Sequence, residues 1–215
     1  MNETLTVNEI FLSIQGEGTR AGRRCAFVRL TGCNLRCSWC DTRYAWSEGK
    51  EMSLDAVLEQ VVKLACPLVE VTGGEPLAQA STPALLERLC ESGYETLLET
   101  NGSLDISAVD ARVVRIVDFK CPSSGRQDAN RWPNADLLTP RDEVKFVLAD
   151  RRDYDFARDA IQRHGLAKRC EVIFSPVLDR LPPAKLAQWI IADRLPVRLG
   201  LQLHKFIWPD KDRGV

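Results

Sequence analysis

Short apolar runs rich in β-branched residues alternate with amphipathic stretches along this 215-residue chain. The runs have the length of strands and lie at 7–12, 25–31, 68–72, 96–100, 113–119, 143–148, 171–174 and 198–203. Helical patterns lie between many of them, at 54–65, from Thr82 to Gly93, at 153–164 and at 183–193. Strands that alternate with helices predict an α/β fold with a parallel sheet of βα units. About six such units are too few for a closed eight-stranded barrel, so we expect a partial barrel or an open sheet.

The unusual motifs of the chain stand where predicted strands end. TGC, TGGEP, ETNG, DFK and SP end or follow the runs that begin at residues 25, 68, 96, 113 and 171. Ligands of parallel α/β folds bind at the carboxyl ends of the strands, so the five motifs predict one shared site. The polar segment 122–141 is predicted to be a long loop.

Composition excludes several classes of protein. The 29 basic residues nearly balance the 30 acidic ones, so nothing indicates direct binding to nucleic acid. No apolar run approaches the ~20 residues of a membrane span, and the N-terminus resembles no secretory signal. We therefore expect one cytoplasmic domain, residues 1–215, without a membrane partner. Eight cysteines in such a chain favour metal or redox chemistry over disulfides.

Three cysteines are clustered, with the spacing C-x3-C-x2-C, at Cys33, Cys37 and Cys40. Three thiolates in one loop can hold three irons of a [4Fe–4S] cluster and leave the fourth iron open to an amine and a carboxylate. The alternative is structural zinc, with Cys25 or His204 as the fourth ligand. A redox pair of Cys37 and Cys40 is less favoured, because it leaves Cys33 unexplained.

The cysteine motif and the GGEP segment together resemble the radical S-adenosylmethionine (SAM) superfamily. The segments EIFLSIQGEGTRAGRRCAFVRLTGCNLRCSWCDT, VTGGEP, LLETNG, DFKCPSS, EVKFV and QLHKFIW resemble one family within it, the 7-carboxy-7-deazaguanine synthases. The resemblance runs from about Val7 to Trp208. It implies a single radical SAM domain with a modified partial barrel, usually a homodimer. The implied lyase reaction converts 6-carboxy-5,6,7,8-tetrahydropterin to 7-carboxy-7-deazaguanine, on the route to queuosine and other 7-deazapurines.

The resemblance also implies three cofactors and their residues. Cys33, Cys37 and Cys40 would hold the [4Fe–4S] cluster, and Thr42 would bind Mg²⁺. SAM would be bound by Trp39, Cys40, Asp41, Gly73, Gly74, Glu75, Asp118, Phe119, Lys120, Ser175, Pro176, Val177 and Leu178. Glycines permit close approach of the backbone, and a carboxylate accepts hydrogen bonds from an amine.

The implied substrate has a guanidine-like edge and a carboxylate, so its site needs acceptors and a cation. The residues that match are Ile14, Gln15, Gly16, Glu17, Arg29, Thr72, Glu99 and His204. Arg29 stands in an apolar run and suits bidentate binding of a carboxylate. The alternative for Arg29 is a solvated side chain on an edge strand. The polar tail 209–215 carries no sign that it closes the pocket.

The implied mechanism begins when an electron from a flavodoxin-like donor cleaves SAM to a 5′-deoxyadenosyl radical. The radical takes hydrogen from C6 of the tetrahydropterin, the ring contracts while Mg²⁺ orients the carboxylate, hydrogen returns, SAM is re-formed and ammonia leaves. Two other functions remain open from the residues. One is a radical SAM activase acting on a partner protein, which the motifs SIQGEG and QLHKFIW disfavour. The other is a zinc-stabilised binding module.

Overall fold

Nine strands and five α-helices form the fold in the computed structural model, which describes residues 3–215. The strands are β1 (Thr4–Ile14), β2 (Arg24–Leu30), β3 (Lys50–Ser53), β4 (Leu68–Gly73), β5 (Glu95–Thr100), β6 (Val114–Asp118), β7 (Glu143–Leu148), β8 (Glu171–Pro176) and β9 (Arg198–Leu199). The helices are α1 (Leu54–Lys63), α2 (Thr82–Glu91), α3 (Arg151–His164), α4 (Pro183–Asp193) and α5 (Leu203–Ile207). One open sheet contains all these strands in the order β3-β1-β2-β4-β5-β6-β7-β8-β9. The α/β class is confirmed, and the two free edges exclude a closed barrel.

From β2 to β9 the sheet is parallel, but its other edge is antiparallel. The predicted parallel sheet of βα units is therefore present from β2 to β9, and the antiparallel pairing of β1 was not predicted. Only residues 15–23 join β1 to β2, and a parallel crossover needs about a dozen residues or more. β3 was not predicted, because its sequence KEMS has no apolar run.

The end of the chain differs from the predicted strand 198–203. Only Arg198 and Leu199 pair with β8, and the chain then turns into α5. A Cβ on Gly200 would lie 2.6 Å from Ile173 Cγ2 and 2.9 Å from Ser175 Oγ, so the backbone passes closer to β8 than another residue allows. The predicted loop 122–141 contains three short 3₁₀ turns and no α-helix or strand.

Helix ends follow the local signals of the sequence. Ser53 caps α1 by accepting a hydrogen bond from Ala56 N at 3.2 Å, as Ser and Thr do at this position. Asp150 caps α3 in the same way, so this helix begins two residues before its predicted start. Gly165 ends α3 in the left-handed conformation. None of the helices in the described part of the chain is both long and apolar enough to cross a membrane.

The alternation of side chains along the parallel strands separates the core from a cavity. On β4, Val69 and Val71 are fully buried in the hydrophobic core, whereas Glu70 and Thr72 line the cavity. On β7, Val144 packs in the core and Lys145 lines the cavity. Neighbouring strands repeat this pattern, so charged groups of several strands meet on one face of the sheet.

Candidate active site

A cavity of about 420 Å³ lies at the carboxyl ends of the parallel strands. It brings together most of the residues predicted from the sequence: Ile14, Gln15, Gly16, Glu17, Arg29, Cys33, Cys37, Trp39, Cys40, Asp41, Thr42, Thr72, Gly73, Gly74, Glu99, Asp118, Phe119, Lys120, Val177 and His204. These residues come from segments spread over 190 positions of the sequence, from 14 to 204. The volume is in the range of pockets that bind small molecules and cofactors.

Four predicted residues do not line this cavity: Glu75, Ser175, Pro176 and Leu178. Glu75 is fully buried and accepts hydrogen bonds from Thr100 Oγ1 at 2.8 Å and from Asn101 N at 2.7 Å. Burial raises the pKa of the Glu75 carboxyl, although these hydrogen bonds act to lower it. Glu75 thus ties the turn after β4 to the end of β5, and its contact with SAM stays a prediction.

The cysteine loop, defined here as residues 32–42, contains no helix or strand. The thiols of Cys33, Cys37 and Cys40 all line the cavity, and none forms a disulfide. Burial raises the pKa values of the Cys37 and Cys40 thiols. Within residues 3–215, no three His, Cys, Asp or Glu side chains are gathered at one point as metal ligands. The three thiols therefore line the same cavity, and a shared ligand such as a cluster is needed to bring them together.

The turn after β4 fits closely under the cysteine loop. Glu75 N donates a hydrogen bond of 2.7 Å to Gly32 O, and Gly74 N donates one of 3.1 Å to Leu30 O. A Cβ on Gly74 would collide with the Gly32 carbonyl and lie 3.0 Å from Cys33 Cβ. Glycine is required here because two backbone segments touch. The turn thereby fixes the first cysteine relative to the sheet.

The pocket floor, defined as Gln15, Glu17, Glu70, Glu99 and Lys145, is a polar network whose members are buried or half-buried. Lys145 Nζ lies 2.9 Å from Glu17 Oε2 and forms a close ion pair with Glu99 Oε1. The Gln15 amide donates to Glu70 Oε2, and its oxygen accepts from Glu17 N at 3.1 Å. Each buried charge in the floor has a polar partner, as burial demands.

The floor residues differ in their expected protonation. Burial, reinforced by the charge of Glu99, raises the pKa of Glu70 to about 8. Burial would also raise the pKa of Glu99, but the Lys145 ammonium outweighs it and the pKa is lowered. Burial would lower the pKa of Lys145, and Glu17 and Glu99 instead raise it well above its ordinary value. At neutral pH the floor therefore contains the ionised Glu99 carboxylate beside one neutral acid, Glu70.

Arg29 enters the cavity from β2, which is an internal strand of the sheet. Its alternative as a solvated side chain on an edge strand is therefore wrong. Arg29 Nε donates to Glu9 Oε1 at 2.7 Å, and the guanidinium lies 5.6 Å from the Phe11 ring centre and 5.9 Å from that of Tyr44. Within the described residues, its two terminal nitrogens donate no hydrogen bond. They are the part of Arg29 that can bind an anion.

Two further predicted residues lie at the cavity wall. Thr42 Oγ1 donates to Asp41 Oδ1 at 2.9 Å, and Asp41 pairs with Lys205 at 3.2 Å. His204 lies in α5 rather than at the end of a strand, and its ring packs against Gly16. Burial lowers the pKa of His204, against the charge of Glu17, so this imidazole is neutral at pH 7.

The C-terminal tail lies against the cavity, contrary to the sequence-based expectation. Pro209, Lys211, Asp212 and Val215 belong to its lining. Arg213 anchors the tail by pairing with Glu48 Oε2 at 2.8 Å and by stacking on the Tyr44 ring at 4.2 Å. The sequence gives no signal for this contact, because the paired residues are 165 positions apart.

Several cavity residues are not among those predicted from the sequence. They include Tyr44, Glu70, Asn101, Lys145, Gln202 and Lys205. A signal exists for two of them, since Glu70 and Lys145 each interrupt an apolar strand, as Arg29 does.

Comparison with known proteins identifies the family. The Radical SAM superfamily model matches residues 27–173. A 7-carboxy-7-deazaguanine synthase of Koribacter versatilis is 47% identical over 98% of this chain and 100% of its own length. The enzyme of the same name from Chlorobaculum tepidum is 48% identical, over 98% of this chain and 97% of its length. The chain belongs to the 7-carboxy-7-deazaguanine synthase family.

A solved structure supports the fold of this family member. The crystal structure of QueE from Escherichia coli superposes with a TM-score of 0.73 and 23% identity, covering 94% of this chain and 95% of that one. The radical SAM fold predicted from the sequence is therefore confirmed, as is the family.

Membership of the radical SAM superfamily decides between an iron–sulfur cluster and structural zinc as the ligand of the three cysteines. Radical SAM enzymes use a [4Fe–4S] cluster and SAM, and the chain has the donor set for both, with three free thiols beside a glycine-lined turn. Cys25 is fully buried in the core and does not line the cavity, so it is no candidate for the fourth ligand of a zinc site. Both alternative functions, the zinc-stabilised binding module and the activase, are therefore rejected in favour of a radical SAM lyase of this family.

Proposed function

We propose that this chain converts 6-carboxy-5,6,7,8-tetrahydropterin to 7-carboxy-7-deazaguanine with loss of ammonia, assisted by Mg²⁺. The observation that carries the proposal is one cavity with the three cysteines on one wall and ionised carboxylates on its floor. Such a cavity can hold a radical source next to a substrate rich in N–H donors. The full-length identity to synthases of this name supports the same activity.

In this proposal the cavity wall that carries the three cysteines holds the cofactors. Cys33, Cys37 and Cys40 would bind three irons of the cluster, and the backbone at Gly73 and Gly74 would receive SAM. When bound, the cluster and SAM supply a 5′-deoxyadenosyl radical that removes and returns one hydrogen. Asp118 and Lys120, paired at 2.8 Å, would lie beside the adenosyl part, where one oxygen of Asp118 is buried without a partner. Trp39, Asp41, Glu75, Phe119 and the segment 175–178 remain proposed contacts of SAM.

The floor and Arg29 would hold the substrate. Glu17 and Glu99 accept hydrogen bonds from the guanidine-like edge, and the terminal nitrogens of Arg29 bind the carboxylate in bidentate fashion. Gln15 and Thr72 fix the floor, while Ile14, Gly16 and His204 close its sides. The enzyme contributes orientation and exclusion of water, since the cofactors carry the difficult chemistry.

Magnesium, the electron donor and the assembly are further parts of the proposal. The Thr42 hydroxyl would supply one oxygen ligand to Mg²⁺, which keeps several waters and binds substrate oxygen. A flavodoxin-like protein would deliver single electrons. Exposed apolar side chains, Ile191 and Phe206 among them, are compatible with a homodimer. We also propose a single radical SAM domain, residues 1–215, that works in the cytoplasm.

Reconstitution tests the proposal. The protein is loaded with iron and sulfide under anaerobic conditions, reduced, and given SAM, Mg²⁺ and 6-carboxytetrahydropterin, and the product is identified by mass spectrometry. We expect 7-carboxy-7-deazaguanine without any partner protein except the reductant. SAM cleavage without this product would keep the radical chemistry and reject the substrate. Neither reaction, from a protein with a full cluster, would reject the proposal altogether.

A further inference from the structure

Lys145 is the one floor residue with positive charge. It lies on β7, and its side chain is only 6% exposed. Its ammonium bridges Glu17, from the segment after β1, and Glu99, from β5. No predicted role accounts for an ammonium buried there.

The two bridged carboxylates are held on their other sides by neutral donors. Glu17 Oε1 accepts from Gln202 Nε2 at 2.9 Å, and Glu99 Oε2 accepts from Thr72 Oγ1 at 3.1 Å. Neither neutral donor can offset a negative charge. Glu17 and Glu99 are half-buried and contact the same ammonium. Without that cation the two carboxylates cannot both stay ionised, because each disfavours the charge of the other.

Other charged groups also face this region, and none replaces Lys145. Asp118 on β6 lies 4.0 Å from Lys145 Nζ and pairs with Lys120, which leaves Lys145 to the glutamates. Glu70 on β4 hydrogen-bonds to Gln15, and within the described residues it forms no ion pair. His204 and Lys205 in α5 and Asp41 in the cysteine loop are the remaining titratable neighbours, and Lys205 is held by Gln202 and Asp41.

We propose that Lys145 is a positioning residue, which keeps Glu17 and Glu99 ionised and side by side so that both accept hydrogen bonds from the substrate's N–H edge. This inference rests on the proposed function. It assigns to Lys145 a role in binding the substrate through two other residues, without direct contact with the reacting atoms.

The test is the KM for 6-carboxytetrahydropterin between pH 6.5 and 9, measured for wild type, Lys145→Met and Lys145→Arg. In the methionine variant one carboxylate takes a proton at neutral pH, so we expect KM to rise about tenfold at pH 7. As the pH rises, that carboxylate loses its proton, and the ratio of variant to wild-type KM falls towards one. Taking the ratio removes the titration of the substrate, which both enzymes share. The charge of Lys145 also acts on Glu70 and His204, so Lys145→Arg, which keeps that charge, is the reference for these two groups.

Several readouts distinguish this role from mere support of the fold. We expect iron content, SAM affinity and kcat at saturating substrate to stay close to wild type in Lys145→Met. Lys145→Arg retains the charge and should keep the wild-type pH profile. A KM ratio that is one at pH 7, or that does not change with pH, overturns the inference. So does an arginine variant with the same loss as methionine.

If Lys145→Met does not fold, the double variant Lys145→Met/Glu99→Gln carries the test. It removes one positive and one negative charge, so we expect a raised KM with a ratio independent of pH. A double variant that binds substrate as tightly as wild type, or whose ratio depends on pH, contradicts the inference. If wild type itself makes no product, the proposed function fails, which is distinguishable from a failure of Lys145 alone.

Discussion

The pocket floor and the cysteine loop face the same cavity but are built in opposite ways. Three floor residues stand on β4, β5 and β7 and two follow β1, and the charges of Glu17, Glu99 and Lys145 are paired within the chain. The cysteine loop contains no regular structure, and its three thiols are not gathered into a ligand set in the described chain. Hydrogen bonds to the rest of the molecule, such as Ser38 N to Ser124 O at 3.1 Å, hold the loop at a few points.

The difference indicates a division of labour. In the proposed function the sheet prepares the substrate site in advance, which reduces the reorganisation needed when the substrate binds. The loop gains its final arrangement from the cluster, because binding energy of a metal centre also orders its ligands. Substitutions in the loop should therefore affect the cofactor first, and substitutions in the floor should affect substrate and protonation.

The largest expected effect comes from comparing substitution of a clustered cysteine with substitution of a scattered one. Cys37→Ala removes one iron ligand, so we expect loss of the cluster and product below detection. Cys90→Ala is the matched control, because this half-buried thiol lies outside the cavity. We expect it to retain cluster and activity, at a cost in stability of about 1 kcal/mol or less. Iron content and product analysis measure both, and an active Cys37→Ala protein would contradict the assignment.

Gly74→Ala should distort the cysteine loop, because Gly74 lies in the turn after β4 that contacts this loop. The new methyl group collides with the Gly32 carbonyl and displaces Cys33. A misplacement of about 1 Å lowers kcat/KM by about 100-fold. Gly93→Ala is the control, since its Cβ meets nothing within 4 Å and only the positive φ of 85° is strained. That strain costs about 1 kcal/mol of stability, without effect on activity. Equal activities of the two variants would show that the turn does not support the loop.

Thr42→Ala tests the magnesium site proposed at the end of the loop. Loss of the hydroxyl should raise the Mg²⁺ concentration for half-maximal activity about tenfold, equivalent to about 1.4 kcal/mol. Thr42→Ser keeps the oxygen and should respond as wild type does. A magnesium titration of all three proteins is sufficient, and an unchanged response of the alanine variant removes Thr42 from the site.

The last prediction concerns stability rather than activity, through the neutral acid in the floor. Glu70 has a pKa of about 8 in the fold against 4.5 for the ordinary group, so the folded state binds its proton more tightly. This contribution to stability is complete at low pH and is lost as the pH rises from about 5 to about 8. Wild type should lose about 1 kcal/mol per pH unit relative to Glu70→Gln in that window. Urea unfolding of both proteins at several pH values gives the difference, and parallel curves would mean that Glu70 is ionised throughout.

Much of the fold and the cofactor wall could be predicted because their signals are local. Strand-length runs, the capping serine Ser53 and the motifs at strand ends all lie in short stretches of sequence. The family resemblance then supplied roles for Cys33 and its partners.

Two floor residues, Glu70 and Lys145, and the contact made by the tail could not be placed in the site from local signals. Parallel strands are buried on both faces, so the alternation that points Lys145 into the cavity and Val144 into the core is not visible as a pattern of exposure. The tail is placed by Arg213 and Glu48, and pairing over such a distance leaves no local trace. β3 was not predicted for a related reason, because its position in the sheet depends on pairing with β1.

Hydrogen exchange tests the division between floor and loop most directly. Amide exchange is measured by mass spectrometry on the cluster-free and the reconstituted protein, without substrate. We expect slow exchange of β4, β5 and β7 in both states, and exchange in residues 33–41 that slows at least about tenfold when the cluster is present. A cysteine loop already protected without the cluster, or floor strands that become protected only with it, would contradict the division.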